Sequence, residues 1–265
     1  MLPLSRDKMR IAVCQDRVIA VRWHGKTIVS KETVQAEGKP LAALENLLAG
    51  VESARVNASV ILSNHFFKFM LLPWNDALLS IEEQFSLARH RFLDIYGGQG
   101  AHWDIRLSEG AMGSPSMASA LDREFLVELR GLFSATQIKL TSIQPYLMHV
   151  FNSVRNEFDT ETGWFVLVER GLYCIALFTG KHWQRIKISR MIGNGFDELT
   201  LTLERESLLA EEGTGRKVYL YAPDYPELAK SKTEDSWFIQ PVTMKWLPGF
   251  TPSDASSYAM VALGA

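Results

Sequence analysis

IAVCQDRVIAVRWHGK at residues 11–26 and FVLVERGLYCIALFTGK at residues 165–181 follow one pattern, and this repeat is the strongest indication of the fold. Each segment reads as an apolar strand, a polar turn, a second apolar strand and then Gly-Lys at the start of a third strand. The register holds with a one-residue insertion. Two copies of such a pattern predict two copies of one supersecondary unit.

The composition indicates a folded α/β protein without nucleic-acid chemistry. The chain has 265 residues and 47% apolar residues, which suits two domains or one large domain with well-buried cores. Its formal charge of −2 lacks the basic excess that nucleic-acid binding requires, so we expect no nucleic-acid partner.

Cysteine usage and hydropathy bear on metal binding and on location. Cys14 and Cys174 both fall in predicted strands without a second Cys or His at ligand spacing, so no metal site and no disulfide framework are predicted. Residues 1–9 lack the apolar core of a signal peptide, and the apolar window 60–74 is interrupted by polar residues and Pro73. We expect a cytoplasmic protein without a membrane span, peripheral to the inner membrane through a partner.

The first repeat continues into a recognisable order of elements. Residues 10–33 predict three strands, residues 41–54 a helix with its leucines on one face, and residues 59–72 a returning strand that ends at Pro73. This β-β-β-α-β order is the core of the ribonuclease H-like fold.

An α/β module follows inside the first half, over about residues 76–143. Ser80 and Glu83 form a capping box before an amphipathic helix that Gly97 ends. Short strands, a helix after Asp122 and a further strand come next, and Pro145 opens another helix. We place the first domain at residues 1–158.

The second domain is predicted at residues 159–265, after a polar break at 159–163. It repeats the meander and continues with a helix at 197–210 and strands at 217–222 and 238–242. The fold class is therefore α/β, with two β-β-β-α-β units in tandem and the module inserted in the first.

Three short motifs carry a resemblance to a known superfamily. They are LLPW at residues 71–74, the strand-helix-strand at 117–143 that leads into Gln144-Pro145, and IGNGFDELT at 192–200. With the order of elements, they resemble the actin-like ATPase superfamily, and within it the type IV pilus assembly protein PilM and the cytoplasmic domain of the type II secretion protein GspL. The resemblance implies a cytoplasmic scaffold that docks a short cytoplasmic segment of an inner-membrane partner.

An active actin-like ATPase needs glycines in two hairpin turns, whose amides wrap the phosphates, and a nearby carboxylate to hold the metal. The first turn offers Asp16 as a metal-facing carboxylate but has Arg17 where the backbone should approach phosphate. The second turn keeps Glu169 and Gly171 but inserts Arg170. Arginine can pair with phosphate, but the simpler interpretation is that these turn charges are exposed to water.

Two further elements bear on nucleotide binding. Where a Gly-Gly loop should cradle the adenosine, the chain has Pro223-Asp224-Tyr225-Pro226. Gly193 and Gly195 precede a helix, where free amides could hold an anion, although a plain loop into a helix cap explains them equally well. We therefore expect no catalytic residues and no cofactor, with ATP and Mg²⁺ as the alternative at Asp16, Glu169, Gly171, Gly193 and Gly195.

Other chemistries have little support in the sequence. A ribonuclease H-like nuclease needs several converging acids, and residues 10–33 of the first meander supply only Asp16 and Glu32. Ser63-Asn64-His65 lacks the context of a hydrolase elbow and is read as a polar notch in a strand.

The aromatic residues at 66–74 exceed what one buried strand face needs. Either the inserted module buries them, or Phe66, Phe69 and Trp74 line a groove for a partner peptide. Two hypotheses follow: a non-catalytic scaffold of a pilus or secretion platform that binds a membrane partner's tail, and a nucleotide-binding actin-like ATPase.

Overall fold

A computed structural model describes residues 7–51, 55–76, 80–108, 110, 112–180, 182–192, 196–210, 215–228, 237–242 and 244–263. These residues form an α/β fold with two five-stranded sheets and one three-stranded sheet. None of the helices in these ranges is long and apolar enough to cross a membrane.

The first sheet begins with the predicted meander and has the order β3-β2-β1-β4-β8. Strands β1, β2 and β3 are antiparallel, whereas β4 pairs parallel with β1 and β8 pairs parallel with β4. The bounds are β1 (Asp7–Val13), β2 (Arg17–His24), β3 (Thr27–Gln35), α1 (Pro40–Ala49), β4 (Val56–Leu62) and β8 (Lys139–Pro145). Pro40 starts α1 without losing a needed hydrogen bond, and Leu44, Leu47 and Leu48 are buried.

The single strand predicted over residues 59–72 is wrong. β4 ends at Leu62, a short 3₁₀ helix spans Asn64–Phe66, and β5 (Phe67–Leu72) belongs to another sheet. The Ser63 N–H donates to the carbonyl of Val13 at 3.0 Å. The Asn64 Oδ1 accepts from the N–H of Leu147 at 3.0 Å. These polar contacts hold the chain in a turn, which the apolar residues on both sides concealed in the sequence.

The inserted module pairs a small antiparallel sheet with one helix. Its sheet has the order β5-β7-β6, with β6 (Trp103–Ser108) and β7 (Ser116–Asp122), and its helix is α2 (Ile81–Tyr96). The capping box is present: the Glu83 N–H donates to the Ser80 hydroxyl at 3.2 Å and the Ser80 N–H donates to the Glu83 carboxylate at 3.0 Å. Buried residues of α2 and the sheet form one apolar core, which comprises Leu72, Ala88, Phe92, Ala118 and Ala120.

The chain then returns to the first sheet. α3 (Arg123–Ser134) buries Leu126, Leu129 and Phe133 and leads into β8, which is the edge strand of that sheet next to β4. α4 (Tyr146–Val154) follows directly after Pro145, as predicted.

The second sheet copies the first, with the order β11-β10-β9-β12-β13. Its first three strands are antiparallel, and β12 and β13 add parallel to β9, as β4 and β8 do in the first copy. The bounds are β9 (Thr162–Glu169), β10 (Leu172–Thr179), β11 (His182–Arg190), α5 (Phe196–Leu208), β12 (Lys217–Tyr221) and β13 (Phe238–Pro241). Buried residues of β9, β10, β12 and α5 form its core, in which Trp164 and Trp237 meet edge to face at 6.1 Å.

Contacts divide the chain into two compact units. The first unit is Met1–Phe66, Glu124–Ser153 and Met244–Ala265, and the second is Phe67–Arg123 and Val154–Thr243. This grouping places α3, β8 and the last segment with the first sheet, whereas the domains at residues 1–158 and 159–265, with a module at about 76–143, stay a prediction.

The last segment is held on the first unit by α6 (Ala255–Ala262), which contacts β1 and β2. The Lys31 ammonium pairs with Asp254 at 3.1 Å and lies 4.6 Å from the centre of the Phe250 ring. The Trp23 indole N–H donates to the carbonyl of Pro248 at 3.4 Å. Polar, cation–π and apolar contacts therefore all fix this segment.

Candidate functional site

The first hairpin turn lies in the first unit, between β1 and β2. The N–H of Cys14 donates to the carbonyl of Arg17 at 2.9 Å, and the carbonyl of Asp16 accepts from the N–H of Ala36 at 2.7 Å. The turn is therefore closed within four residues and tied to the end of β3. It contains no residue with positive φ.

The charges of this turn neutralise each other. An Arg17 Nη1 lies 3.7 Å from an Asp16 Oδ2, and the side chain of Arg17 is 11% exposed whereas that of Asp16 is 47% exposed. The prediction that both charges are exposed to water is wrong for Arg17. A guanidinium beside the one carboxylate of the turn competes with a metal ion for it.

Polar residues at the end of β4 lie in the same unit. Ser63 and Asn64 are each 1% exposed, and the Ser63 hydroxyl lies 2.9 Å from Nδ1 of His65. Asn64 caps the start of α4 through Leu147, so the side-chain amide takes the place that an anion would occupy at a helix N-terminus. The polar notch has a structural role here.

A buried histidine on α4 adds a titratable group. His149 is 5% exposed, and its Nδ1 lies 3.2 Å from the Gln144 amide nitrogen. Burial, with the charge of Arg10 adding, lowers the pKa of His149 to about 4. The imidazole is therefore neutral at pH 7.

The second hairpin turn lies in the second unit, between β9 and β10. Gly171 has φ +73°, and its N–H donates to the Tyr225 hydroxyl at 3.4 Å. Its carbonyl accepts from the N–H of Met191 at 3.0 Å. The amide that a phosphate would need is thus hydrogen-bonded to the loop after β12.

Charge pairing closes this turn as well. The Arg170 Nε lies 3.5 Å from an Asp224 Oδ1, and the Arg170 side chain is 57% exposed. Glu169 is only 6% exposed, so the prediction of an exposed carboxylate is wrong for this residue. Burial, with Glu198 and Tyr225 adding, raises the pKa of Tyr173 nearby on β10.

The N-terminus of α5 is acidic. Asp197 and Glu198 occupy its first turn, and the Glu198 carboxylate accepts from the N–H of Ile192 at 2.7 Å. Carboxylates at a helix N-terminus satisfy its dipole and repel a further anion. Gly193 and Gly195, the predicted anion-binding glycines, lie outside the described residues.

In each turn, a group that Mg²⁺-ATP would need already has a partner in the protein. Asp16 is paired with Arg17, and the Gly171 amide is bonded to Tyr225. Within the described ranges, no group of three or more His, Cys, Asp or Glu side chains is arranged to hold a metal ion.

Sequence reasoning noticed the Pro-Asp-Tyr-Pro segment but missed its role. It treated residues 223–226 only as a missing Gly-Gly loop, whereas Asp224 and Tyr225 both contact the second turn. The signal was the complementary charge of Asp224 and Arg170, on a loop that two prolines constrain.

The predicted aromatic anchors have different environments. Phe66 is half-buried in the first unit and stacks on Phe125 with ring centres 4.8 Å apart. Phe69 is half-buried in the second unit, 5.7 Å from Phe67, on a strand that contacts β11 as well as β7. Each of these two rings therefore has aromatic neighbours within its own unit.

Trp74 is the exposed member of the predicted set. It is 41% exposed, and its indole N–H donates to Asp76 at 2.7 Å. With Leu72, Gln84 and Leu87 it lines a cavity of about 10 Å³, which holds at most one water molecule. This cavity is therefore too small to take a side chain of another protein.

The two matching sheets, each with a helix between its third and fourth strands, define the class of this protein. The chain has the actin-like ATPase fold, a duplicated ribonuclease H-like fold with a module inserted in its first half. Compared by sequence alone, it matches no family profile and no curated protein.

Particular solved structures share this fold over nearly the whole chain. The PilM-PilN type IV pilus biogenesis complex is 12% identical at a TM-score of 0.64, and the match covers 99% of this chain and 91% of that one. The cytoplasmic domain of EpsL, an inner membrane component of the type II secretion system of Vibrio cholerae, is 10% identical at a TM-score of 0.60. That match covers 95% of this chain and 93% of the EpsL domain. A Bacteroides thetaiotaomicron protein of actin-like ATPase fold and unknown function is 10% identical at a TM-score of 0.61. That match covers 91% of this chain and 94% of the Bacteroides protein.

Proposed function

We propose that this protein is a non-catalytic, actin-like cytoplasmic scaffold of a type IV pilus or type II secretion assembly platform. In this role it binds the cytoplasmic tail of an inner-membrane partner. The competing hypothesis is a nucleotide-binding actin-like ATPase.

The observation that carries the proposal is the state of the two hairpin turns. Phosphate transfer depends on positioned amides and on a metal-bound carboxylate. In this chain the Gly171 amide is hydrogen-bonded to Tyr225, and Asp16 faces Arg17. A nucleotide would have to break contacts in each turn before it could bind, and that cost weakens its affinity.

The machines named for two structural neighbours support the scaffold role. One is named as a complex of PilM with PilN in pilus biogenesis, and another as the cytoplasmic domain of an inner membrane component of a secretion system. A likeness of folds is an analogy, so the assignment of this chain to such a machine rests on experiment.

Trp74 is the residue that we expect to contact the partner first. It is 41% exposed and sits just after β5, whereas Phe66 and Phe69 are half-buried. Exposed tryptophans are enriched among the residues that dominate binding energy at interfaces.

Titration calorimetry with ATP and Mg²⁺, together with a phosphate-release assay, separates the two hypotheses. We expect no binding heat below millimolar nucleotide and no release above buffer. Submillimolar binding that Asp16→Ala abolishes, while Asp94→Ala on α2 leaves it intact, would instead establish the ATPase.

Affinity purification from inner-membrane extracts tests the partner. The wild-type protein should recover a protein with one membrane span, and Trp74→Ala should recover much less of it. Ile95→Ala is the matched control, because Ile95 is 62% exposed on α2 of the same module. Recovery of soluble enzymes only, or equal recovery by Trp74→Ala, contradicts the proposed surface.

A further inference from the structure

A groove of about 550 Å³ crosses the face of the first sheet near the amino ends of β1 and β4. Its lining residues in the described part of the chain all belong to the first unit. The lining residues are Lys8, Met9, Arg10, Trp23, Gly25, Lys26, Asn57, Ser59, Thr141, Leu247 and Pro248.

The groove carries positive charge. Lys8, Arg10 and Lys26 line it, and none of its lining residues in the described part of the chain is an aspartate or glutamate. The nearest carboxylate in sequence, Asp7, is engaged with Arg22 at 2.6 Å and His24 at 2.7 Å. Like charges that converge on one cavity favour an anionic ligand.

Arg10 is the half-buried member of this group. One of its terminal nitrogens, Nη1, donates to the carbonyls of Val261, at 3.3 Å, and Leu263 at the end of α6. These carbonyls offset part of the charge through the helix dipole. Its Nε and Nη2 make no bond within the described residues, so the guanidinium keeps donors for a ligand.

A missing hydrogen-bond donor points to the same groove. The Oδ1 of Asn57 is buried and has no partner among the described residues. Buried side-chain oxygens normally accept a hydrogen bond. Asn57 on β4 lines the groove beside Lys8, the residue of β1 with which it is paired. An N–H of a bound peptide backbone would supply the donor.

The dimensions fit an extended chain segment. The lining side chains come from β2, β1, β4 and β8, four neighbouring strands that span about 14 Å at the usual spacing. An extended peptide covers that distance with about four residues. Trp23, Leu247 and Pro248 supply apolar wall for a side chain between the charged positions.

We propose that this groove binds an extended acidic peptide segment of a partner protein, with carboxylates at Lys8, Arg10 and Lys26 and an apolar side chain at Trp23. This inference goes beyond the proposed function and does not depend on it. The groove is separate from the partner surface assigned to Trp74, which belongs to the second unit.

Selection of random heptapeptides displayed on phage, with the purified full chain as target, tests the proposal without assuming a sequence. The recovered peptides should share two or more acidic residues around an apolar one. Their affinity, measured by fluorescence anisotropy of labelled synthetic peptides, should fall about tenfold or more in the double variant Lys8→Glu/Lys26→Glu, because opposite charges become like charges.

The controls separate the groove from net charge and from misfolding. Lys39→Glu/Lys187→Glu changes the net charge equally at exposed positions outside the groove and should bind as the wild type does. Replacing the acids of the peptide by their amides should weaken binding to the unaltered protein. Failure to recover any peptide, recovery of peptides without acids, or equal affinity for the Lys8→Glu/Lys26→Glu variant would overturn the proposal.

Discussion

The turn between β1 and β2 and the turn between β9 and β10 are two copies of one hairpin, but different contacts close them. The first is closed locally, by Asp16 beside Arg17. The second is closed from a distance in sequence, by Asp224 and Tyr225. Each carries an arginine where a phosphate-binding turn would have a small residue.

In the two copies of this hairpin, the strands are therefore more alike than the turns. The strands are fixed by burial and by sheet pairing, and the strand order is the same in both copies. A turn is free to accept whichever partner its surroundings supply. Substitutions in each unit can therefore test the surroundings of each turn separately.

The largest expected difference between the units is in acid stability. Because the pKa of His149 in the first unit is lowered from 6.5 to about 4, the unfolded chain binds a proton between these pH values and the folded chain does not. Stability is therefore lost as the pH falls from 6.5 towards 4. At pH 4.5 the loss from this group is about 2.5 kcal/mol.

Urea denaturation at pH 7 and pH 4.5 measures this loss. The variant His149→Gln should lose less stability than the wild type on acidification, whatever its stability at pH 7. His90→Gln, at an exposed position on α2, should lose as much stability between pH 7 and pH 4.5 as the wild type loses. If both variants lost stability equally between pH 7 and pH 4.5, the acid sensitivity would not come from His149.

The next largest effect on stability is expected from Asn64, which lies in the turn after β4. Asn64→Ala leaves the N–H of Leu147 without its partner in a buried site, so we expect a loss of about 2 kcal/mol in the free energy of unfolding. Urea denaturation checks it. Asn152→Ala, exposed on the same helix, should change stability by less than about 0.5 kcal/mol, and equal losses would refute the capping role.

The smallest expected effect concerns the second turn. Gly171→Ala places a side chain at φ +73° with no atom within 4 Å of its Cβ, so only backbone strain of about 1 kcal/mol is expected. Gly131→Ala, also without a close neighbour but inside α3, should instead stabilise the protein by about 0.5–1 kcal/mol. Thermal melts of both variants give the sign. A stabilising Gly171→Ala would mean that the turn relaxes to the geometry of the first one.

Most of the fold was predictable from the sequence, because periodicity and caps are local signals. The duplicated meander, the Ser80 capping box and the helix after Pro145 were all predicted, and the structure has them. The break at Asn64 was not, because its cause is a hydrogen bond to Leu147, 83 residues away. Residues 59–72 are also apolar enough to resemble one buried strand.

The site was less predictable than the fold. The arginines in both turns were evident, and they motivated the expectation of a degenerate nucleotide site. Their partners were not evident, because a sequence does not show that Asp224 reaches Arg170 or that Arg17 lies largely buried. The groove at Arg10 was missed entirely, since its lining comes from four strands and a distant segment near Leu247.

The return of α6 to the first sheet has a consequence for biosynthesis. Residues 244–263 contact β1, β2 and β3 through Arg10, Trp23 and Lys31, more than 200 positions earlier in the chain. During synthesis the second unit can complete its contacts while the first still waits for its last segment, since a non-local contact forms only after both partners exist. The unit that begins first on the ribosome is thus the last to close.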